Sequence, residues 1–180
     1  SETLLDGALE DHDTAKNFLQ VIYSESNRMD RLVKDLLLLS KHDSGIQLNL
    51  QNISPLELTQ SVLENLKMAA DEKHQRMIVV EDGEVPRVSG DWDRLEQLLF
   101  NVVGNAIKYT PKGGQFEISA ERCANQWDPG GAAEVVHLWV KDNGIGIAPE
   151  DQKKIFQKFF RSEDPKTREA PGTGLGLNIT

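Results

Sequence analysis

Apolar residues recur along this chain with two different periods, and the changes of period lay out its elements. Over residues 14–43 the apolar positions return every three or four residues. Phe18, Ile22, Met29, Leu32, Leu36 and Leu39 step along one helical face, with Glu25 as its polar interruption. Val21, Val33 and Leu37 widen the stripe, which suits a helical bundle better than a narrow two-stranded seam. The pattern predicts one long helix, capped by Asp13. Leu4, Leu5 and Leu9 predict the end of a preceding helix, so residues 1–45 read as part of a helical hairpin. Asp43-Ser44-Gly45 breaks the periodicity and marks a domain boundary before residues 46–180.

Beyond that boundary the period shortens to two. Ile46, Leu48 and Leu50 alternate with polar residues, as in a half-buried strand. Ser54-Pro55 supplies an N-cap and a first-turn proline for a helix to about Lys73. Strands are predicted at 77–81, 88–90, 115–123 and 134–141, the last two joined by a connection containing WDPGG at 127–131. Asp91 caps a helix to Tyr109, which Thr110-Pro111-Lys112-Gly113-Gly114 ends. Pro149 and Glu150 open a short helix to about Phe156, and the charged stretch 161–171 reads as a mobile loop. The fold expected is an α/β two-layer sandwich, a mixed and mainly antiparallel sheet with helices on one face.

Composition narrows the function classes. A net charge of −9 argues against a nucleic-acid surface, which needs clustered Lys and Arg. Positive charge is nonetheless local, at Lys108, Lys112, Arg161, Lys166 and Arg168. The single cysteine, Cys123, leaves no intramolecular disulfide or thiolate metal cluster within one chain. No apolar run is longer than Leu36–Leu39, far short of a membrane span, so no membrane contact is expected of this portion. Its first residues do not have the form of a signal peptide.

The candidate chemistry begins on the 92–109 helix. With Asn101 at zero on a helical wheel, Asn105 falls at about +40° and Lys108 at about −20°. Leu95, Leu99, Val102, Val103 and Ala106 occupy the opposite side. One face thus packs while the other presents two amides and an ammonium. A neutral amide oxygen is a hard ligand suited to Mg²⁺ when phosphates supply the remaining charge, and a lysine is a point charge for phosphate. Taken alone, this face equally suits a solvated helix surface.

Two glycine motifs follow. Asp142 leaves a strand into Asn143-Gly144-Ile145-Gly146-Ile147, where a carboxylate can accept from an exocyclic amine and glycines let backbone approach a base. Alone, it is also a common turn. Gly172-Thr173-Gly174-Leu175-Gly176-Leu177 precedes a helix start, where bare backbone N–H groups suit phosphate oxygens, although a flexible loop has the same look. Neither motif is a GxxxxGK[ST] loop or a dinucleotide fingerprint. In this order, with IFQKFFR at 155–161 between the last two, the motifs describe a pocket for ATP and Mg²⁺.

The chain resembles the sensor histidine kinases of bacterial two-component systems, within the ATPase superfamily shared with gyrase, heat-shock chaperone and mismatch-repair ATPases. NVVGNAIKYTPKGG (101–114) resembles the asparagine box, DNGIGI (142–147) the first glycine box, IFQKFFR the phenylalanine box and PGTGLGL (171–177) the second glycine box. ETLLDGALED (2–11) and SNRMDRLVKDLLLLSKHDSG (26–45) resemble the end of the dimerisation and histidine-phosphotransfer domain.

The resemblance implies a role for each position. Asn105 binds Mg²⁺ with Asn101 in support, Lys108 contacts phosphate, and Tyr109 lies against base or ribose. Asp142 accepts from the adenine amine, and Gly144, Gly146 and Ile147 wall the base site. Phe159 and Phe160 anchor a lid, Arg161 is available to the phosphates, and Gly172, Thr173, Gly174, Leu175, Gly176 and Leu177 close over the triphosphate.

The same resemblance implies a protein-histidine kinase, homodimeric in its full-length parent, that signals to a response-regulator receiver domain. It places this portion on the cytoplasmic side of a membrane-bound sensor. Two departures qualify it. None of His12, His42, His74 or His137 has the neighbours of the family's phosphoacceptor, so the acceptor is expected outside this sequence and autophosphorylation is not expected. The chain also stops at Thr180, inside the helix after the second glycine box. An ATP hydrolase of the wider superfamily and a nucleotide-gated interaction module are the rival readings. Asn101 disfavours the first, because an amide cannot accept a proton near neutral pH.

Overall fold

The computed structural model describes residues 13–23, 25, 26, 29, 33, 47–81, 83–164, 167, 174 and 176–179. The chain divides into two compact units, Ser1–Ile46 and Gln47–Thr180. In the first, residues 13–23 are helical, as are 25, 26, 29 and 33. Asp13 is helical, and the residues before it, where the helix begins, lie outside the described residues. Ala15 is buried and Phe18 half-buried, whereas Ile22, Met29 and Val33 of the apolar stripe are exposed within this chain. Leu32, Leu36, Leu39, His12, His42 and the preceding helix lie outside the described residues.

The second unit runs β1 (Leu50–Ile53), α1 (Pro55–Glu72), β2 (Arg76–Glu81), β3 (Val88–Asp91), α2 (Trp92–Tyr109), β4 (Gln115–Ala124), β5 (Glu134–Asp142), α3 (Pro149–Gln152) and α4 (Gly176–Ile179). Each long helix is started by a side chain. Ser54 Oγ accepts from the Glu57 N–H at 3.3 Å, and Pro55 takes a first-turn place where no amide proton is needed. Asp91 accepts from the Arg94 N–H at 3.2 Å and also from the Asn49 N–H at 2.9 Å. These amides, Asn49 first and then Arg94, hold its carboxyl below the ordinary value. At the far end of α2, Thr110 is extended (φ −82, ψ 130), the conformation that a following proline imposes.

The strands form two sheets. β1 pairs antiparallel with β3, Leu50 opposite Asp91 and Ile53 opposite Val88. In the other sheet β4 is central, antiparallel to β5 with Ile118 opposite Val140, and parallel to β2 with Val79 opposite Ile118. The pairing is thus mixed and mainly antiparallel. Leu58, Val62, Leu66 and Ala70 of α1 meet Leu99, Val103, Ala106 and Ile107 of α2 over Ile53, Phe116 and Ile118 in one core. Phe116, Val62 and Val103 are wholly inaccessible there. The buried Thr59 hydroxyl is satisfied by the Pro55 carbonyl at 2.8 Å, and Ser61 Oγ donates to Glu96 Oε1 of α2 at 2.6 Å.

Two expected elements differ. The first strand lies later than the 46–50 alternation suggested, because Leu48 and Leu50 are exposed and Ile53 is the residue that enters the core. The helix expected to reach Phe156 ends at Gln152 and gives way to turns. Phe156 is exposed, so no apolar face holds a longer helix there. Among the described residues no helix is long and apolar enough to cross a membrane.

Candidate functional site

The C-terminal half of α2 organises the site. Leu99, Val103, Ala106 and Ile107 are buried, whereas Asn101, Asn105 and Lys108 are half-buried on the other face. Lys108 Nζ reaches the Tyr109 hydroxyl at 2.8 Å and sits 4.5 Å from that ring's centre. Asn101 Nδ2 donates to the Gly176 carbonyl at 3.1 Å, which ties α4 to the helix. Among the described residues Asn105 forms no hydrogen bond through its side chain, so its amide oxygen is available to a ligand.

The helix end carries the 142–147 turn. Ile145 N–H donates to the Tyr109 carbonyl at 3.2 Å, and Gly144 N–H donates to Asp142 Oδ1 at 2.8 Å. A Cβ on Gly144 would lie 2.7 Å from both the Tyr109 carbonyl oxygen and Asp142 Oδ1, so only glycine allows this approach. Asn143 anchors the turn from behind, its Oδ1 accepting from the Gln115 N–H at 2.9 Å. Asp142 is exposed with Oδ2 free of that turn contact, and Gly146 (φ +72) turns the chain so that Ile145 and Ile147 remain exposed.

The second glycine motif meets the phenylalanine stretch. Gly174 (φ +75) lies so close to it that a Cβ would fall 2.8 Å from the Phe159 carbonyl carbon and from the Phe160 oxygen. Phe159 itself has φ +62, a left-handed conformation rare for a bulky residue. Asn178 Nδ2 donates to the Phe156 carbonyl at 2.8 Å. Phe160 is half-buried, Phe159 and Arg161 are exposed, and Leu177 is half-buried. Gly172, Thr173 and Leu175, with Lys166 and Arg168, lie outside the described residues. The structure therefore brings Asn101, Lys108, Tyr109, Asp142, Gly144 and Gly176 into one connected set through α2, while Gly174 packs against Phe159 and Phe160.

Two contributors were missed in the sequence. Lys73, just after α1, donates from Nζ to the carbonyls of Ile107 at 2.7 Å, Lys108 at 2.9 Å and Thr110 at 2.7 Å. Burial lowers its ammonium from the ordinary lysine value. Gln75 Nε2 donates to Ile107 and Thr110 carbonyls at 3.0 and 2.6 Å. No local pattern announces either residue, since both act across more than thirty positions.

Among the described residues, no group of three or more His, Cys, Asp or Glu side chains could hold a metal ion. The amide face offers hard, neutral donors, which suit a cation that arrives with phosphate oxygens. A separate cavity of ≈ 170 Å³, lined by Ser54, Thr59, Val79, Ile118 and Ser119 among others, includes no motif residue.

Comparison with known proteins gives the family of the chain. Residues 90–180 match the family described as histidine kinase-, DNA gyrase B-, and HSP90-like ATPase, and residues 1–45 match the His Kinase A (phospho-acceptor) domain. The chain is 37% identical over 179 residues to sensor histidine kinase WalK of Bacillus subtilis, covering 99% of this chain and 28% of WalK. It is 34% identical over 180 residues to the sensor-like histidine kinase SenX3 of Mycobacterium tuberculosis, covering 99% of this chain and 41% of SenX3. It therefore spans less than half the length of either relative. Full-length ShkA in complex with AMPPNP superposes with a TM-score of 0.71 at 26% identity, over 91% of this chain and 32% of that one. The histidine kinase ThkA in complex with response regulator protein TrrA gives 0.66 at 26% identity, over 84% and 42%. With its asparagine helix, paired glycine turns and preceding His Kinase A segment, the chain belongs to the histidine kinase-, DNA gyrase B-, and HSP90-like ATPase family, among the sensor histidine kinases.

Proposed function

We propose that residues 46–180 bind Mg-ATP and transfer its γ-phosphoryl group to a histidine, as the catalytic domain of a sensor kinase signalling to a response regulator. The observation that carries this reading is the junction at the end of α2. There the amide and ammonium face adjoins a glycine turn hooked to the Tyr109 carbonyl, with Asp142 exposed beside it. The AMPPNP complex of ShkA and the TrrA complex of ThkA support the nucleotide and the partner.

In this reading Asn105 ligates Mg²⁺ through its amide oxygen, and the ion supplies charge neutralisation at the phosphates. Asn101 orients the same face while holding α4 through Gly176. Lys108 swings from the Tyr109 hydroxyl to phosphate, and Tyr109 then lies against base or ribose. The Asp142 carboxylate, with one oxygen on the Gly144 N–H, keeps the other for the adenine amine. Gly144, Gly146 and Ile147 wall the base, Phe159 and Phe160 anchor the lid, Arg161 reaches toward phosphate, and residues 172–177 close over the triphosphate. Phosphoryl transfer asks mainly for this positioning and neutralisation.

Residues 1–45, which match the His Kinase A (phospho-acceptor) domain, serve dimerisation in the full-length parent in this reading. Transfer in trans onto an added acceptor-bearing domain is the expected activity, on the cytoplasmic side of a membrane-bound sensor. ATP hydrolysis is disfavoured because residue 101 is an amide rather than a carboxylate. The test is titration with AMPPNP and Mg²⁺, followed by radiolabelled ATP with an added acceptor domain. Chemical-shift changes at Asn105, Asp142 and Gly174, lost in Asn105→Ala when Mg²⁺ is required, and acid-labile phosphate on the acceptor are expected. Rapid steady release of inorganic phosphate, or no shift at saturation, would reverse the reading.

A further inference from the structure

The terminal carbonyls of a helix have no partners within it, and they carry the negative end of its dipole. In α2 these groups belong to the residues that approach the nucleotide face. All of them are satisfied from elsewhere in the chain. Ile107, Lys108 and Thr110 carbonyls accept from Lys73 Nζ, and the Tyr109 carbonyl accepts from Ile145 of the glycine turn. The basic residue of the helix's own last turn, Lys108, points instead to the Tyr109 hydroxyl.

We infer that Lys73 is a positioning residue for the nucleotide site, its ammonium clamping the last turn of α2 so that Lys108, Tyr109 and the 142–147 turn keep their places. The inference rests on the nucleotide reading given above, but the clamp itself has a signature that needs no nucleotide.

Three observations carry it. An ammonium has three hydrogens, and here three carbonyls receive them at 2.7–2.9 Å, so its donor capacity is used in full. Lys73 forms no ion pair among the described residues, so its counter-charge is the helix terminus. Its backbone is fixed as well: the Lys73 carbonyl accepts from Gly113 N–H at 2.9 Å, and Arg76 N–H donates to the Gly114 carbonyl at 3.0 Å. The α1–β2 corner is thereby hooked to the turn that follows α2. Gln75, 6% exposed, shares two of the same acceptors and cannot replace the charge. Lys73 also lies before residues 90–180, the part of the chain that matches the ATPase family.

The experiment compares Lys73→Met, which keeps the aliphatic stem, with Lys73→Arg and with Ser54→Ala, a cap variant at the start of α1. Amide chemical shifts are recorded without nucleotide, and AMPPNP affinity is measured with Mg²⁺ by calorimetry. Lys73→Met should move the amides of Tyr109, Gly144 and Ile145 and weaken AMPPNP binding by about tenfold, the worth of one charge-assisted hydrogen bond. Lys73→Arg, with charge but a planar fork, should recover part of both. Ser54→Ala should lose stability with AMPPNP affinity unchanged. Should Lys73→Met not fold, the arginine variant carries the same two readouts. Unmoved amides at Tyr109 and Ile145 overturn the clamp, as does affinity within twofold of the parent. Failure of the parent itself to bind AMPPNP defeats the nucleotide reading, and the shifts then decide the clamp alone.

Discussion

Gly144→Ala tests the junction between α2 and the first glycine turn. The new methyl would lie 2.7 Å from the Tyr109 carbonyl oxygen and 3.0 Å from its carbon. A carbon–oxygen contact relaxes only near about 3.3 Å, so the turn must retreat by about 0.6 Å. That retreat stretches the Ile145 N–H bond to Tyr109, already 3.2 Å, beyond useful hydrogen-bond length. Overpacking costs about 1–3 kcal/mol and the lost bond about 1 kcal/mol, offset by about 0.4–1 kcal/mol from the stiffer unfolded chain. A net loss of about 2 kcal/mol is expected. Guanidinium unfolding followed by tryptophan fluorescence measures it, and hydrogen exchange at Ile145 reports the broken bond directly. Gly146→Ala is the control: its Cβ meets nothing within 4 Å, and its cost is the left-handed backbone at φ +72 alone. Gly144→Ala with an unchanged midpoint and a fully protected Ile145 amide would refute the argument.

Asp142→Asn should leave the turn intact, because the amide oxygen can take the Gly144 N–H while the NH₂ group then faces the adenine amine. The preference for ATP over inosine triphosphate in competition calorimetry should fall by about tenfold, and an unchanged ratio would remove Asp142 from the base site. The Asp91 carboxyl is held below its ordinary value of 3.8, so its stabilising contribution is present above that pH and is lost as pH falls through the folded value. Asp91→Asn should flatten the acid limb of a denaturation-midpoint profile; parallel profiles for both proteins would contradict this. His74 has φ 51 at the end of α1, where glycine is at ease, so His74→Gly should raise stability by about 0.5–1 kcal/mol in the same unfolding assay.

Features with local causes were legible in the sequence. Ser54-Pro55, Asp91 and Thr110-Pro111 each act within a turn of their own position, and they placed the start of α1 and both ends of α2 correctly. The close glycine turns of the candidate site were legible for the same reason, since a glycine that must approach backbone is written at that glycine. The first strand was not, because Leu48 and Leu50 alternate as well as Ile53 does, and register is settled by β3, far along the chain. Parallel pairing of β2 with β4 was equally unwritten. Lys73 and Gln75, which bind the end of α2, stayed hidden because their chemistry depends on carbonyls, which every residue carries and no sequence pattern distinguishes.

The parallel pair also predicts an order of events during folding. Arg76 stands opposite Gln115, with β3 and all of α2 between them. Closing a loop of that length costs about 3 kcal/mol before any ladder bond offsets it. A preformed, docked α2 would shorten that search, which predicts a rate-limiting ensemble with α2 already packed on α1. Truncating Val103 would then slow refolding more than it speeds unfolding, and the chain would acquire its ligand-binding face before it completes its sheet.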